Sequence, residues 1–210
     1  MPRLLLATAN SGKIREYRSL LGSLGYQIVT LAEQGIAEVA TESGNSYEQN
    51  AQLKATADAK LSQLITLADD SGLEVDALGG KPGIHSARFA GEGATDADKV
   101  RILLAELTGI PWERRTAHFK CVIAIATPEG RVELCHGECH GMIALEAKGE
   151  NGFGYDPVFY LPEMGKTMAE LSLETKNRIS HRAQAARKAQ QVLRRLHNSC
   201  VDSGRGGDML

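Results

Sequence analysis

The stretch Ala68-Asp69-Asp70-Ser71-Gly72 places two adjacent carboxylates where an apolar run stops. The run before them, Leu64-Ile65-Thr66-Leu67-Ala68, predicts a short buried strand, and Ser71-Gly72 predicts a turn into a second apolar segment, Leu73 to Leu78. Burying a carboxylate is unfavourable unless a cation or hydrogen-bond donors compensate it. Two acids at a strand end therefore point to a bound cation, a proton-transfer role, or both. The bland alternative is a pair of exposed turn acids with Asp70 as a local cap.

Four other stretches carry matching chemistry. Thr8-Ala9-Asn10-Ser11-Gly12-Lys13 is a strand-turn-helix junction of small residues ending in a lysine. A helix start offers backbone N–H groups and a positive dipole end, which suits phosphate. Gly12 would let the backbone approach closely, although such turns also use Asn, Ser and Gly for turn chemistry alone. The spacing is not that of a Walker loop. Asn50 and Lys54 lie one turn apart on a single helix face, where the lysine either neutralises phosphate or is solvated. Gly152-Phe153-Gly154-Tyr155-Asp156-Pro157 sets aromatics between glycines. That suits a loop laying a ring on a base, or a turn with its rings in the core. Finally, Lys176-Asn177-Arg178-Ile179-Ser180-His181-Arg182 gathers cations around Ser180, a natural N-cap. Positive charge at a helix start opposes the dipole and is accounted for by a nearby anion or electron-rich base edge, or by solvent. Together these pieces describe a nucleotide site with a phosphate turn, an acid pair for a metal, an aromatic loop and a basic rim.

The elements that must position them follow from periodicity and punctuation. Arg3 to Thr8 predicts a strand, and Ile14, Tyr17, Leu20, Leu21 and Leu24 recur at helical spacing up to Gly25. Tyr26 to Leu31 predicts a strand, residues 32–45 a polar loop, and Ser46 the cap of a long helix to about Leu64. Gly79-Gly80-Lys81-Pro82-Gly83 is a connector. Thr95-Asp96 opens a helix whose face carries Val100, Leu103, Leu104 and Leu107. Two long strands, Thr116 to Thr127 and Arg131 to Ile143, flank a hairpin turn at Pro128-Glu129-Gly130. A last strand at Val158-Phe159-Tyr160 precedes a helix from Ser180 to about Leu196, and residues 198–210 predict a disordered tail. The expected fold is α/β: a mixed central sheet with flanking helices, two lobes around a nucleotide-binding cleft, in one domain over residues 1–197.

Composition narrows the classes. With 42% hydrophobic residues, 24% charged residues and a net charge of −2, the chain has no basic excess for a nucleic-acid polymer or an anionic membrane. No apolar run reaches membrane-spanning length, and the start is too short for a signal peptide, so the expected location is cytoplasmic. Cys121, Cys135, Cys139 and Cys200 show no Cys-x-x-Cys spacing. Cys135 to His140 resembles a metal cluster, but strand alternation would send neighbouring residues to opposite faces. Reduced structural thiols are the expectation.

In six ordered blocks the chain resembles the inosine triphosphate pyrophosphatase family. The blocks are Leu6 to Lys13, Asn50-Ala51-Gln52-Leu53-Lys54-Ala55, Ala68 to Leu73, Pro82-Gly83-Ile84-His85-Ser86-Ala87-Arg88, Gly152 to Pro157 and Ile179-Ser180-His181-Arg182. The resemblance implies hydrolysis of purine nucleoside triphosphates with a 6-oxo base (ITP, dITP and XTP) to the monophosphate and pyrophosphate. It implies that Thr8, Ala9, Asn10, Ser11, Gly12 and Lys13 line the triphosphate, with Lys13 and Lys54 neutralising charge. Asp70 would be catalytic, as a Mg²⁺ ligand and general base, and Ser71 would touch substrate. Phe153, Gly154, Tyr155, Asp156, Lys176, His181 and Arg182 would hold the base and sugar. Thr41 stands where the family commonly has a Glu, so Glu42 is taken as the second metal carboxylate, and Gln49 stands where it has a Glu beside Asn50. The resemblance further implies a homodimer. Two rivals remain: a pyrophosphatase of different base preference, and a nucleotide-binding module without catalysis.

Overall fold

The computed structural model describes residues 1–36 and 43–203. Among these residues seven strands form one mixed sheet in the order β2-β1-β3-β4-β5-β6-β7. They are β1 (Arg3–Leu6), β2 (Gln27–Thr30), β3 (Ile65–Val75), β4 (Thr116–Ala126), β5 (Val132–Ile143), β6 (Phe159–Leu161) and β7 (Lys166–Thr167). β1 runs parallel to β2 and β3, and all later pairings are antiparallel. Among the described residues the α-helices are α1 (Ser11–Leu21), α2 (Tyr47–Ser62), α3 (Asp96–Glu106), α4 (Leu173–Ile179), which packs on α5 and α1, and α5 (His181–Ser203). The α/β class and mixed sheet are as the sequence predicts. Among the described residues no helix is long and apolar enough to cross a membrane.

Side-chain parity explains where the core lies. On one sheet face Leu4, Leu6, Leu67, Ile123 and Cys135 pack against Tyr17 of α1 and Ala186, Ala189 and Leu193 of α5. On the other, Ala68, Val122, Ala124 and Ala126 meet Ala51, Ala55 and Ala59. Alanine favours the helix and lets α2 lie close to the strands. A further cluster at the far end joins Leu73, Phe119 and Cys139 to Leu103 of α3 and Phe159.

The chief correction concerns the acids. Ser71-Gly72 is not a turn, and the two carboxylates do not end a strand. β3 runs unbroken through them to Val75, each residue facing one on β4, with Asp69 opposite Ile123 and Gly72 opposite Lys120. β1 pairs with β3 only as far as Leu67, so the edge of β3 beyond it is free of a strand neighbour. The 83–88 segment covers that edge: Leu73 N–H donates to Ser86 Oγ at 2.8 Å, and Ser86 Oγ donates to Gly83 O at 2.6 Å. Glycine at 72 makes room for this cover, since a Cβ there would stand 2.3 Å from Gly83 O. The local turn signal lost to long-range pairing.

Two further differences are local. α4, capped by Ser172 Oγ accepting from Thr175 N–H at 3.2 Å, was not expected. α5 does not end near Leu196 but continues to Ser203, into the stretch expected as a tail. Nothing between Leu196 and Gly204 is a glycine or proline, and propagating a formed helix is easy. Residues 204–210 lie outside the described residues.

Candidate active site

A cleft opens between the N-terminal end of α1, the mid-section of β3, the loop before β6 and the start of α5. From the phosphate turn, Asn10 and Lys13 line it, as do Asp70 and Ser71 of β3. Phe153, Gly154, Tyr155 and Asp156 close one side, and Lys176, His181 and Arg182 another. The remaining predicted residues stand apart. Thr8 and Ala9 border a shallow neighbouring groove with Ile14 and Thr30, and Ser11 is exposed at the first position of α1. Gly12 makes room for an aromatic ring. A Cβ there would lie 2.5 Å from Cδ1 of Phe153, so the missing side chain is where the Phe153 ring rests. Glu42, with Thr41, lies outside the described residues.

Adjacent strand residues point to opposite faces, and the acid pair divides accordingly. Asp69 faces α1 and α5. Lys13 Nζ lies 3.0 Å from its Oδ1, and Arg182 Nη2 lies 3.4 Å from its Oδ2. Its side chain is fully buried. Burial alone would raise its pKa, but Lys13 and Arg182 outweigh burial and hold the carboxyl far below the usual aspartate range. Asp70 turns to the α2 side. Its Oδ2 accepts from Asn50 Nδ2 at 2.9 Å, its Oδ1 accepts from Ser71 N–H at 3.1 Å, and Lys54 Nζ is 3.9 Å from Oδ1. Lys54 does not line the cleft itself. Its Nζ donates to Asp69 O at 2.7 Å, which fixes it behind Asp70.

The basic rim is already compensated by the protein's own acids. Arg182 Nη1 donates to Glu16 Oε2 at 2.7 Å, and its Nη2 donates to Ser71 Oγ at 2.9 Å. Lys176 Nζ bridges Glu16 Oε1, at 2.8 Å, and Asp156 Oδ2. Burial works to raise the Glu16 pKa, but Arg182 and Lys176 together hold it below the ordinary glutamate value. Glu16, Asp69 and Asp156 thus balance Lys13, Lys176 and Arg182, three charges against three. The third cation of the motif, Arg178, points away to Glu174 on the exposed face of α4. Ser180 caps α5 as expected, its Oγ accepting from Ala183 N–H at 3.2 Å.

The loop is pinned at each residue. Asp156 Oδ2 accepts from Phe153 N–H at 2.9 Å, and Asp96 Oδ2 accepts from Gly154 N–H at 2.6 Å. Tyr155 OH donates to Ser86 O at 2.9 Å, so its ring sits in the core and ties the loop to the β3 edge cover. Phe153 lies over two cations, 4.9 Å from Lys176 Nζ and 5.4 Å from Arg182 Cζ. The other flat surface is His181 stacked on Phe119, with centroids 4.6 Å apart and planes at 18°. Burial, reinforced by Arg182 and Lys176, holds the His181 pKa well below its ordinary value, so the ring is neutral. Its Nδ1 is buried with no hydrogen-bond partner among the described residues.

Sequence reasoning missed Glu16, Asp96 and Phe119 as site residues. Glu16 was findable. It lies three residues from Lys13 and beside Tyr17, on the inward face of α1, where an acid requires a cation. Phe119 shares parity with Cys121 and Ile123, the β4 residues that face α5. Asp96 carried only a helix-start signal.

The chain is thus a mixed α/β-sheet protein with a charge-lined cleft between α1, β3, the 153–156 loop and the start of α5. Residues 4–192 match the Ham1 family, and the chain belongs to it. It is 53% identical to a dITP/XTP pyrophosphatase of Desulforamulus reducens over 196 residues, covering 93% of this chain and 97% of that one. A dITP/XTP pyrophosphatase of Geobacillus kaustophilus is 50% identical, covering 90% and 92%. Among solved structures, a HAM1 protein from Coxiella burnetii superposes with a TM-score of 0.83 at 41% identity, covering 92% of this chain and 98% of that one.

Proposed function

We propose that this chain hydrolyses dITP, XTP and ITP to the monophosphate and pyrophosphate, removing deaminated purine nucleotides from the precursor pool. The observation that carries the reading is the divided acid pair. Asp69 holds Lys13 and Arg182 in place, while Asp70 lines the cleft with its carboxylate oriented by Asn50 and Ser71 N–H. The relatives named as dITP/XTP pyrophosphatases support the same substrate class.

In this reading Asp70 takes the proton of the water that attacks the α-phosphorus. The leaving group is pyrophosphate, and Lys13 in the cleft offsets the charge that accumulates on it, while Lys54 adds positive charge from behind Asp70. A carboxylate in a cleft fits Mg²⁺, a hard cation that takes oxygen ligands, and Asp70 would hold it on the protein's side. When bound, Mg²⁺ neutralises phosphate charge and acidifies a bound water. Recognition of a 6-oxo group needs donors aimed at its oxygen, which the 6-amino group of adenine would leave unpaired. The buried His181 Nδ1 and the Lys176 and Arg182 side chains supply donor capacity there. We also assign the protein to the cytoplasm as a homodimer, acting on free nucleotides rather than on nucleic acid.

Pyrophosphate release from ITP, dITP, XTP, GTP and ATP, with and without Mg²⁺, tests this in wild type and Asp70→Asn. Fast Mg²⁺-dependent release from the first three, lost in the variant, is expected. Equal rates on ATP or GTP overturn the substrate class, and ITP binding without release overturns the enzyme. Sedimentation checks the dimer, expected near twice the 22.6 kDa chain mass.

A further inference from the structure

A second cluster lies outside the cleft, on the ribbon face that α2 covers only as far as Val122. His118 of β4 and His140 of β5 are directly opposed cross-strand partners, and Glu138 is two residues along β5 on the same face. The alternation that separates neighbours between Cys135 and His140 gathers these alternate residues. His118 Nδ1 and His140 Nδ1 are 2.7 Å apart. Glu138 Oε1 lies 3.6 Å from His118 Nδ1 and 4.0 Å from His140 Nε2. One ligand atom from each residue falls within 4.8 Å of the others.

The support behind His118 is the second observation. The Asp76 carboxylate lies 3.2 and 3.3 Å from His118 Nε2, and Thr116 Oγ1 donates to Asp76 Oδ2 at 2.6 Å. Asp76 therefore favours the proton on Nε2 and turns the Nδ1 lone pair toward His140 and Glu138. A carboxylate behind a histidine is how metal-binding imidazoles are oriented. The competing cation, Lys120, opposes Glu138 across the strands but is committed to Glu74 at 2.7 Å.

We propose that His118, Glu138 and His140 bind one divalent transition-metal ion of the zinc class, with Asp76 positioning His118. Two imidazoles and a carboxylate suit Zn²⁺, Co²⁺ or Ni²⁺ rather than Mg²⁺, and three protein ligands leave a position for water. Tetrahedral ligation needs the two nitrogens roughly 3.3 Å apart, given metal–nitrogen bonds of about 2.0–2.1 Å. The His140 side chain, 70% exposed, has room to swing outward by that amount. The ion would tie β4 to β5 at His118, next to Phe119, whose ring forms the cleft wall on the opposite face. This site does not depend on the function proposed for the cleft.

The test is Co²⁺ titration of the full chain, free of histidine tags, followed by visible absorption. Tetrahedral bands saturating at one ion per chain and displaced by Zn²⁺ are expected in wild type and unchanged in Asp70→Asn. His118→Asn, Glu138→Gln and His140→Gln should each weaken binding by at least about 100-fold, and Asp76→Asn by about 10–100-fold. Zn²⁺ should raise the Tm of wild type but not of His140→Gln, a substitution at an exposed position that leaves folding intact. Wild-type affinity weaker than millimolar overturns the proposal, as does equal Co²⁺ binding in wild type and His140→Gln.

Discussion

Asp69 and Asp70 are neighbours in sequence and occupy opposite sides of one sheet. Asp69 is enclosed by Lys13 and Arg182, and through Arg182 it joins a buried net with Glu16, Lys176 and Asp156. Asp70 meets an amide, a backbone N–H and Lys54, and it borders the cleft. The same side chain thus serves as a fixed counter-charge on one face and as the candidate reactive group on the other. Strand parity, rather than proximity in sequence, decides whether two carboxylates share a ligand.

The largest expected effect breaks the pair by function. Asp70→Asn should lower kcat for pyrophosphate release by about 10²–10⁴-fold, the usual worth of a general base, with KM moving far less. Its effect on Tm should be smaller than that of Asp69→Asn. Asp69→Asn leaves Lys13 and Arg182 buried beside a neutral amide. Removing one partner of a buried ion pair costs about 3–5 kcal/mol. For a chain of this size that is a Tm loss of roughly 6–20 °C. Equal stability losses in the two variants would show that both carboxylates are structural and would sink the division of roles.

That division marks how far the sequence was legible. Periodicity located α1, α2, α3 and the β4–β5 hairpin, because each buries one face against the sheet and needs the matching repeat. Asn10, Lys13, Asp70, Ser71, the 153–156 loop, Lys176, His181 and Arg182 line one cleft, while Thr8, Ala9, Ser11 and Lys54 stand outside its lining. What could not be read was partner choice. Ser71-Gly72 carries a local turn signal, and only the presence of β4 alongside turns it into strand. Likewise the basic stretch from Lys176 implies an anion without saying that the protein supplies it, in Glu16 on a helix far away in sequence. Single-sequence patterns record local preference, whereas charge compensation is a property of the assembled core.

Acid should sharpen the contrast next, in two separate windows. Asp69 and Glu16 titrate in the fold below their ordinary values of 3.8 and 4.5. The unfolded chain therefore binds protons first, and the stability these acids contribute is present above about 4.5 and lost as pH falls below it. His181 is held well below 6.5, chiefly by burial. Again the unfolded chain takes up the proton first, so stability declines as pH falls from 6.5. One proton taken up only on unfolding gives a slope of about 1.4 kcal/mol per pH unit. Urea midpoints measured from pH 7 to 3 should lose the upper slope in His181→Asn and keep the lower one. Asp69→Asn should keep the upper slope and reduce the lower one to the share that Glu16 retains. A wild-type curve flat between 6.5 and 5 would mean that His181 is protonated in the fold and is not the buried neutral ring that stacks on Phe119.

The smallest effect separates burial from charge within one motif. Arg178 and Arg182 stand four residues apart in the same basic stretch, yet the Arg178 side chain is 73% exposed and the Arg182 side chain 2%. Arg178 pairs with Glu174 on the surface of α4, where such a pair is worth about 0.3–0.5 kcal/mol. Arg178→Ala should therefore leave stability within that margin and kcat/KM for ITP unchanged. Arg182→Ala strips counter-charge from Glu16 and Asp69 together and should cost about 3–5 kcal/mol along with turnover. Matched stability curves and initial rates for the two variants decide the point. A loss of turnover in Arg178→Ala at unchanged Tm would mean that α4 turns this arginine into the cleft when substrate binds. The surface side of α4 would then be part of the machinery, and burial in the free protein would no longer mark which cations act on the nucleotide.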